Sequence, residues 1–329
     1  MFSEDYIPFR EESGFLLYLG QIIIMKKNNY PALPSLDLLS ATGWQDYALL
    51  DSGDGFKLEQ FGPYRLVRPE PEAVWRQALS AAEWKNADAL YKPSPEENGG
   101  HWEYRKKLPE RWLMRYGSLS FWVMTSASRH LGVFPEQSVQ WDWADTVIKK
   151  AAKPPKVVNL FGYTGMATLS AAHSGALVTH LDASRKSVSW ARDNQVQSRM
   201  SGLPIRWIVD DALKFVQRES RRGVQYDGII LDPPKFGRGP KGEVWEFYKL
   251  LPDLLQSCRQ VLSPDPLFVQ LTAYAVKASA VTLYNAMNEM MSDFKGRTQV
   301  GEIGLTEASA GRFLSTAIFA RWCRQDQAS

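Results

Sequence analysis

The pattern of hydrophobic and polar positions divides the chain into two unlike regions. From about Leu36 to Arg129, short aromatic-rich runs are separated by Gly, Pro and Asp, which predicts small antiparallel strands and hairpins. From Gly132 onward, short apolar runs alternate with segments of helical periodicity, which is typical of a doubly wound α/β sheet. The pattern therefore predicts a small β-rich domain at 36–129 and an α/β domain at 130–329.

Within the α/β region, strands and helices are expected to alternate up to a helix that ends at Met291. One helix is expected from Glu243 to Leu262. Two consecutive apolar strands follow, near Gln299–Leu305 and Phe313–Trp322, and they predict a C-terminal β-hairpin. Such a hairpin is unlike the end of an ordinary nicotinamide-binding Rossmann domain. The earlier buried strands are expected at KVVNLF, ALVTHLD, IRWIV, YDGIILD and PLFVQLTAY.

The N-terminal 35 residues are interpreted as an extension. The apolar run Gly14–Met25 is too short to span a bilayer, and acidic rather than basic residues precede it. We therefore expect neither a membrane helix nor a secretory signal. The segment that begins at Met25 is polar, as is more usual at the start of a protein. We therefore hypothesise that residues 1–24 result from translation that begins at an upstream start codon.

The composition is that of an ordinary globular protein. Of 329 residues, 44% are hydrophobic and 23% are charged, which excludes disordered, collagen-like and disulfide-scaffold proteins. The formal net charge of +3 permits a nucleic-acid partner but does not indicate one. Cys258 and Cys323 form no CxxC pair, which excludes a structural zinc cluster and suits a cytoplasmic protein.

Eight of the twelve tryptophans lie before residue 150. They are interpreted as the core of the β-rich domain, the alternative being a platform on which nucleobases stack. The segment Lys92–Gly100, KPSPEENGG, is expected to be a mobile hairpin tip.

The loops after the predicted strands contain the candidate chemistry, because an open parallel sheet binds ligands outside the carboxyl ends of its strands. In the first loop, Asn159–Gly165, glycines allow close approach of a ligand and the next helix offers N–H groups to a carboxylate. This loop lacks the full GxGxxG pattern, and a simple turn explains it equally well. Asp182, at the end of the second strand, suits a carboxylate that accepts both ribose hydroxyls, the alternative being a helix N-cap.

The third and fourth loops add two more acidic motifs. In Asp210, Asp211 and Ala212, a carboxylate can accept the amino group of adenine while the Ala212 N–H meets a ring nitrogen. An N-cap is again the alternative, above all for Asp210. The fourth loop, DPPKFGRG from Asp232, is the most specific, because two prolines fix a carboxylate and Phe236 supplies an aromatic face. A turn without function can also contain two prolines. However, this motif occurs together with three other candidate loops, and the combination favours a binding site.

Together these motifs resemble those of S-adenosylmethionine-dependent methyltransferases that act on bases of large-subunit (23S) ribosomal RNA. The resemblance rests on LFGYTG, the LD of HLDAS, Asn194 in ARDNQ, the DA of DDALKF and DPPKFGRG, and it extends from about Gly132 to the C-terminus. GVFPEQ, Gly132–Gln137, resembles the segment that opens that catalytic domain and helps to cover the cofactor. The family implies a class I, Rossmann-like sheet with a C-terminal β-hairpin, preceded by a small β-rich domain.

The resemblance also implies a site for S-adenosylmethionine and a ribosomal RNA substrate, with no metal and no membrane partner. The implied cofactor contacts lie in the opening segment and in the loops: Phe134, Gln137, Phe161, Gly162, Tyr163, Thr164, Gly165, Asp182, Ala183, Asp211, Ala212 and Asp232. The implied catalytic residues are Asp232, Pro233 and Phe236, of which Asp232 and Pro233 face both the cofactor and the target base.

The chain departs from the family in two respects. Members often begin with a separate RNA-binding domain, for which too few residues precede the β-rich region. Members that methylate carbon five of cytosine have a cysteine just after the fifth strand, where this chain has QLTAYAVKAS. Cys258 and Cys323 are expected to be small apolar core residues instead. We therefore expect methyl transfer to a nitrogen or oxygen without a cysteine nucleophile.

Asp232 is expected to orient the edge of the acceptor base. A ring nitrogen needs only alignment, whereas an exocyclic amine benefits from an oxygen that accepts its hydrogens. Lys235 and the basic clusters at 105–107 and 218–222 are expected to be solvated, the alternative being contact with phosphate. A methyltransferase for a protein or small metabolite and a non-catalytic cofactor-binding module remain open as functions, and the oligomeric state is left open.

Overall fold

Strands and helices alternate in the second half of the chain, and strands predominate in the first half. The computed structural model describes residues 33–94 and 99–325. Its strands are β1 (Leu36–Ser40), β2 (Tyr47–Gly53), β3 (Phe56–Phe61), β4 (Tyr64–Pro69), β5 (Ala89–Pro93), β6 (Gly100–Tyr104), β7 (Trp112–Tyr116), β8 (Leu119–Val123), β9 (Lys156–Leu160), β10 (Leu177–Asp182), β11 (Ile205–Val209), β12 (Gly228–Leu231), β13 (Phe236–Arg238), β14 (Val244–Glu246), β15 (Phe268–Ala273), β16 (Gly296–Thr306) and β17 (Phe313–Arg324). Its helices are α1 (Ala81–Lys85), α2 (Ser138–Lys149), α3 (Met166–His173), α4 (Arg185–Gln197), α5 (Ala212–Arg221), α6 (Phe247–Gln260) and α7 (Ala280–Met290), and a 3-10 turn, Pro135–Gln137, precedes α2.

Eight strands form one large sheet in the order β1-β16-β17-β15-β12-β9-β10-β11. Strands β9 to β12 and β15 run parallel to one another, and β17 is antiparallel to both β15 and β16. The predicted α/β sheet with a C-terminal hairpin is therefore confirmed. The strand order reverses between β9 and β12, and an open sheet binds ligands at such a point.

The central strands are buried on both faces. Val157 packs among residues of α2 and α3, whereas its neighbour Val158 packs among residues of α5, α6 and α7. Because successive side chains of a strand point to opposite faces, helices on both sides require nearly continuous apolar runs, which is the pattern the sequence shows. Cys258 and Cys323 are buried in these two layers, as expected of small apolar core residues.

Strand β1 belongs to the large sheet and not to the β-rich region. Leu36 pairs with Val300 in parallel register with β16, and the Ser40 and Thr306 hydroxyls are 2.7 Å apart. The start of the β-rich domain predicted at residue 36 therefore disagrees with the strand pairing. Residues 36–329 form one compact unit, and a division near residue 130 stays a prediction.

The β-rich region consists of a five-stranded sheet, β2 to β6, and the β7–β8 hairpin. None of the eight early tryptophans is exposed, and Trp84, Trp102 and Trp112 are buried in the β-rich region, as expected of core residues. Trp141 and Trp143 instead lie on α2, where Trp143 packs against the large sheet. The side chains of Asp51 and Ser52 in β2 bond to Ser309 and Glu307 in the turn between β16 and β17. The tip of the β5–β6 hairpin at residues 95–98 and residues 1–32 of the N-terminal extension lie outside the described residues.

The helix expected from Glu243 begins only at Phe247. Residues 244–246 form β14, which pairs with β13 to make a hairpin directly after the DPPK motif. Trp245 fixes this hairpin, because its buried indole donates a hydrogen bond to the Pro234 carbonyl at 2.6 Å. The apolar spacing of VWEFYKLL fits a helix equally well, so local periodicity did not reveal the strand. Among the described helices, none combines the length and apolar character needed to cross a bilayer.

Asn194 in α4 connects the β7–β8 hairpin to the first loop of the sheet. Its buried side chain donates to the Thr164 carbonyl at 3.0 Å and accepts from the Trp122 N–H at 2.9 Å. Removing a buried amide that bonds to two backbone groups leaves both groups without a hydrogen-bond partner.

We expect Asn194→Ala to lower the free energy of unfolding by about 2 kcal/mol or more, because each backbone group left unsatisfied costs about 1 to 3 kcal/mol. Urea unfolding measures this change. Asp193→Ala, at the exposed neighbouring position of the same helix, is the control and should unfold like the wild type. Equal stability of the two variants would contradict the role of Asn194.

Candidate functional site

The loops after β9, β10, β11 and β12 meet at one cleft with a volume of about 630 Å³. The predicted site residues that line it are Phe134, Phe161, Tyr163, Asp182, Ala183, Asp211, Ala212, Asp232 and Pro233. An adjoining cavity of about 50 Å³ is lined in part by Gln137, Gly162 and Thr164. Gly165 and Phe236 line neither space. The sheet thus brings the predicted loops together, with two exceptions.

The Phe161–Gly165 loop depends on its glycines for packing. A Cβ atom at Gly162 would lie 2.5 Å from the His180 ring, and one at Gly165 would lie 2.8 Å from the Ala191 side chain. Gly165 also has a φ of 88°, in the left-handed region that favours glycine. The glycines therefore allow the loop to lie against β10 and α4, which is a different role from the expected close approach to a ligand.

Asp182 connects this loop to the start of α4. Its carboxylate accepts hydrogen bonds from the Tyr163 and Ser184 N–H groups, both at 2.8 Å. The N-cap of α4 is Ser184, which accepts from the Ser187 N–H, so the N-cap alternative for Asp182 is wrong. A carboxylate has about four acceptor positions, which leaves Asp182 the capacity to accept two further hydrogen bonds. Burial raises its pKa.

In the third loop, the residue that caps the next helix is Asp211, whereas the sequence favours Asp210 for this role. Asp211 caps α5 by accepting from the Lys214 N–H at 2.9 Å. Asp210 accepts from the Asp211 N–H and forms an ion pair with Arg218. Asp210 therefore fixes the loop, and Asp211 lines the cleft beside Ala212.

Asp232 lies at the end of β12 and accepts a hydrogen bond from the Gln137 side-chain amide at 3.0 Å. Burial and the nearby charge of Glu136 raise the pKa of Asp232 to about 7, although the Gln137 hydrogen bond opposes the shift. Glu136 is only 5% exposed, and burial raises its pKa as well. A buried carboxylate, Glu136, and a partly buried one, Asp232, therefore line this part of the cleft from different elements.

Sequence reasoning did not single out Glu136. It lies between Pro135 and Gln137 in a segment interpreted only as a cover for the cofactor, and the letters PEQ do not reveal that its carboxylate is buried. The same carboxylates, together with burial, raise the pKa of the Tyr274 hydroxyl, which also lines the cleft. The available sequence signal for Glu136 is its position next to Gln137, which is an expected cofactor contact.

The β-rich region supplies a wall of the cleft that sequence reasoning also missed. Arg68 donates to both carboxylate oxygens of Glu59 at 2.6 Å, and the Tyr47 hydroxyl donates to the same carboxylate at 2.8 Å. Lys57 forms an ion pair with Glu70 at 3.0 Å. The sequence pattern predicts these strands as a separate domain, and it therefore does not place their charged residues at the cleft, where Lys57, Arg68 and Glu70 lie.

Phe236 is not placed inside the cleft. Its side chain is 54% exposed, whereas its neighbours Lys235 and Gly237 line the cleft. Phe236 and Gly237 lie on opposite faces of β13, because successive residues of a strand point to opposite faces. Arg238 shares the face of Phe236 but lies further along the strand, where it lines the cleft. A base stacked on Phe236 inside the cleft therefore disagrees with the fold. Lys235 lines the cleft and is exposed, which agrees with the expected solvated lysine and also allows contact with a phosphate.

The basic clusters contain side chains that already have acidic partners. Arg222 pairs with Glu219 at 3.3 Å, and Lys106 pairs with Asp88. Such pairing agrees with the expected solvated faces. In residues 33–94 and 99–325, no group of three His, Cys, Asp or Glu side chains is arranged to hold a metal ion.

Comparison with known proteins identifies similar chains. No family model matches this chain. The ribosomal RNA large subunit methyltransferase K/L of Hahella chejuensis is 32% identical over 162 residues, 49% of this chain and 21% of that protein. The protein of the same name from Shewanella frigidimarina is 34% identical over 116 residues, 35% of this chain and 16% of that protein. The matched region is thus a small part of these curated relatives.

Solved structures match over a much larger share of both chains. A structure from Streptococcus mutans is 15% identical with a TM-score of 0.65, covering 96% of this chain and 83% of that one, which supports the fold alone. The crystal structure of the SAM-dependent methyltransferase from Agrobacterium tumefaciens is 45% identical with a TM-score of 0.84, covering 90% of this chain and 97% of that one. On this identity and coverage, the chain belongs to the S-adenosylmethionine-dependent methyltransferases.

Proposed function

We propose that this chain transfers the methyl group of S-adenosylmethionine to a nitrogen or oxygen of a base in large-subunit ribosomal RNA. The main support is Asp232, a partly buried carboxylate that two prolines follow directly and that lines the same cleft as Asp182. The similarity to proteins named ribosomal RNA large subunit methyltransferase K/L supplies the substrate class. An extruded planar base fits a cleft that ends on a rigid acceptor group.

On the cofactor side, the two remaining acceptor positions of Asp182 suit the ribose hydroxyls of S-adenosylmethionine. Asp211 and Ala212 lie one loop further along the sheet, where they can contact the adenine ring. The cofactor supplies a sulfonium methyl group, and transfer requires an acceptor atom in line with it. The loops after β9, β10 and β11 would therefore hold the donor and leave Asp232 to the acceptor.

On the acceptor side, Asp232 in its ionised form can accept a hydrogen bond from an N–H group at the edge of the base. If the acceptor is an exocyclic amine, the nitrogen forms its bond to the methyl group and releases one proton, which the Asp232 carboxylate can take up. A pKa near 7 suits this exchange at neutral pH. If the acceptor is a ring nitrogen with a free lone pair, Asp232 only orients the base.

A covalent mechanism through a cysteine is not part of this proposal. Cys258 is fully buried among apolar residues between the sheet and α6, and burial raises its pKa strongly. Cys323 is buried near the end of β17. Neither residue lines the cleft or the adjoining cavity. In such positions a thiolate nucleophile is disfavoured.

We expect Asp182→Ala to weaken S-adenosylmethionine binding by about 1.5 to 3 kcal/mol, or about 10-fold to 150-fold, because two hydroxyls lose a charged acceptor. Titration calorimetry measures the dissociation constant. Asp193→Ala, which removes an exposed carboxylate from α4, is the control. Unchanged affinity in a folded Asp182→Ala protein would remove this residue from the cofactor site.

The pH profile of kcat/KM should rise through about pH 7 as Asp232 loses its proton. Glu136→Gln removes a negative charge that raises the pKa of Asp232, so the rising limb should move to lower pH. Glu72→Gln, which alters an exposed carboxylate of the same cleft, should leave the limb in place. A limb that stays unchanged in Glu136→Gln would contradict the coupling.

The substrate is tested by mass spectrometry of ribosomal RNA nucleosides from cells with and without the gene. One methylated base should disappear without the protein and return with the wild type, but not with Asp232→Ala. In calorimetry, Asp232→Ala should bind the cofactor within a few fold of wild type, because the residue orients the acceptor. Methylation of a protein or metabolite, with no change in ribosomal RNA, would overturn the RNA substrate and leave the methyltransferase assignment intact.

A further inference from the structure

The β13–β14 hairpin has two unlike faces. Cross-strand partners lie on the same face, so Phe236, Arg238, Val244 and Glu246 share the outer face, and Gly237 and Trp245 share the inner one. The inner face is fixed by the buried Trp245 indole and its hydrogen bond to the Pro234 carbonyl. On the outer face, Phe236 is 54% exposed and Val244 is 45% exposed.

Two cations flank this exposed aromatic ring without acidic partners. Within the described part of the chain, no carboxylate lies within ion-pair distance of Lys235 or Arg238. Of the other cations nearby, Lys214 pairs with Glu243 at 2.8 Å, and Lys249 lies 3.8 Å from Glu246. Lys241, in the turn of the hairpin, is exposed and forms no ion pair within the described residues. A nucleotide offers a phosphate and a planar base. An unpaired guanidinium can bind the phosphate, and an exposed phenyl ring can stack on the base, so the two side chains together complement a nucleotide.

The hairpin also borders the cleft. Lys235, Gly237 and Arg238 line it, whereas Phe236 does not. Arg238 therefore lies where the outer face of the hairpin meets the cleft. A base that reaches Asp232 must leave its stack, and its neighbours in the strand stay outside the cleft. A nucleic-acid strand that crosses this rim passes directly over the outer face.

We propose that the outer face of the hairpin binds the nucleotide next to the methylated one, with its base stacked on Phe236 and its phosphate bound by Arg238. This inference rests on the proposed RNA substrate and gives Phe236 a role that its position outside the cleft allows. Lys235, on the cleft side of the rim, contacts the phosphate of the target nucleotide itself. A membrane or an acidic protein surface offers phosphates or carboxylates but no unstacked planar rings, so the exposed phenyl favours RNA.

The test uses filter binding of the full-length protein to an unmodified 23S ribosomal RNA transcript. Phe236→Ala should weaken binding about fivefold to 100-fold, the usual effect of losing one stacked base. Phe236→Tyr should retain the affinity, and Phe236→Leu should lose it, because leucine keeps an apolar side chain but has no π face. Val196→Ala, at a position in α4 that is 61% exposed, is the control for loss of an exposed apolar side chain.

The phosphate contact is tested by the salt dependence of the same binding. Arg238→Ala should reduce the slope of log affinity against log salt by about one, since one phosphate contact is lost. Arg221→Ala removes an equal charge from an exposed position in α5 and should leave the slope near that of wild type. Calorimetry with S-adenosylmethionine should give wild-type affinity for Phe236→Ala and Arg238→Ala.

The outcomes separate this inference from the proposed function. If the wild type neither binds nor methylates ribosomal RNA, the RNA substrate itself is wrong. If the wild type does both and Phe236→Ala binds equally well, the outer face does not hold a nucleotide. Equal binding by Phe236→Leu and Phe236→Tyr would replace stacking with a simple apolar contact and would also overturn the proposal.

Discussion

The Asp182 carboxylate is the contact on which the geometry of the site depends. By accepting from the Tyr163 and Ser184 N–H groups, it fixes the loop after β9 against the loop after β10. Both loops follow parallel strands, so their positions relative to each other are set by the sheet register, by this side chain and by the hydrogen bond from the Gly162 N–H to the Leu181 carbonyl at 2.9 Å. The positive φ values of Phe161 and Tyr163, 62° and 49°, are conformations that non-glycine residues adopt only when their surroundings hold them.

The sequence predicted the sheet and the four loops because their signals are local. An apolar run, the loop that follows it and the next amphipathic helix are contiguous, and parallel pairing then places the loops at one edge. The N-caps show the limit of this reasoning. Asp182, Ser184 and Asp211 are all suitable capping residues, and which of them caps a helix is decided by where each helix begins, to within one or two residues.

The elements that the sequence did not predict depend on partners distant in the chain or on packing. Within the described residues, β1 pairs only with β16, and β14 is a strand because β13 folds back on it. Burial raises the pKa of Glu136, and the charge of Glu136 raises the pKa of Asp232. Arg68 lines the cleft because the β-rich region lies against the sheet. The resulting cleft has an acidic interior and unpaired cations at its rim, a distribution that suits a cationic donor inside and a phosphate chain outside.

The pairing of β1 has a mechanical consequence. The chain leaves the large sheet after β1, builds the β-rich region, and returns to the sheet layers at α2, so this region is attached at both ends. The Ser40–Thr306 contact spans 266 positions, and Asp51 and Ser52 add a third attachment at the β16–β17 turn. A body held at three points cannot rotate about a single hinge, as a domain on one flexible linker can. The wall that it contributes to the cleft is therefore anchored to the large sheet at three places along the chain.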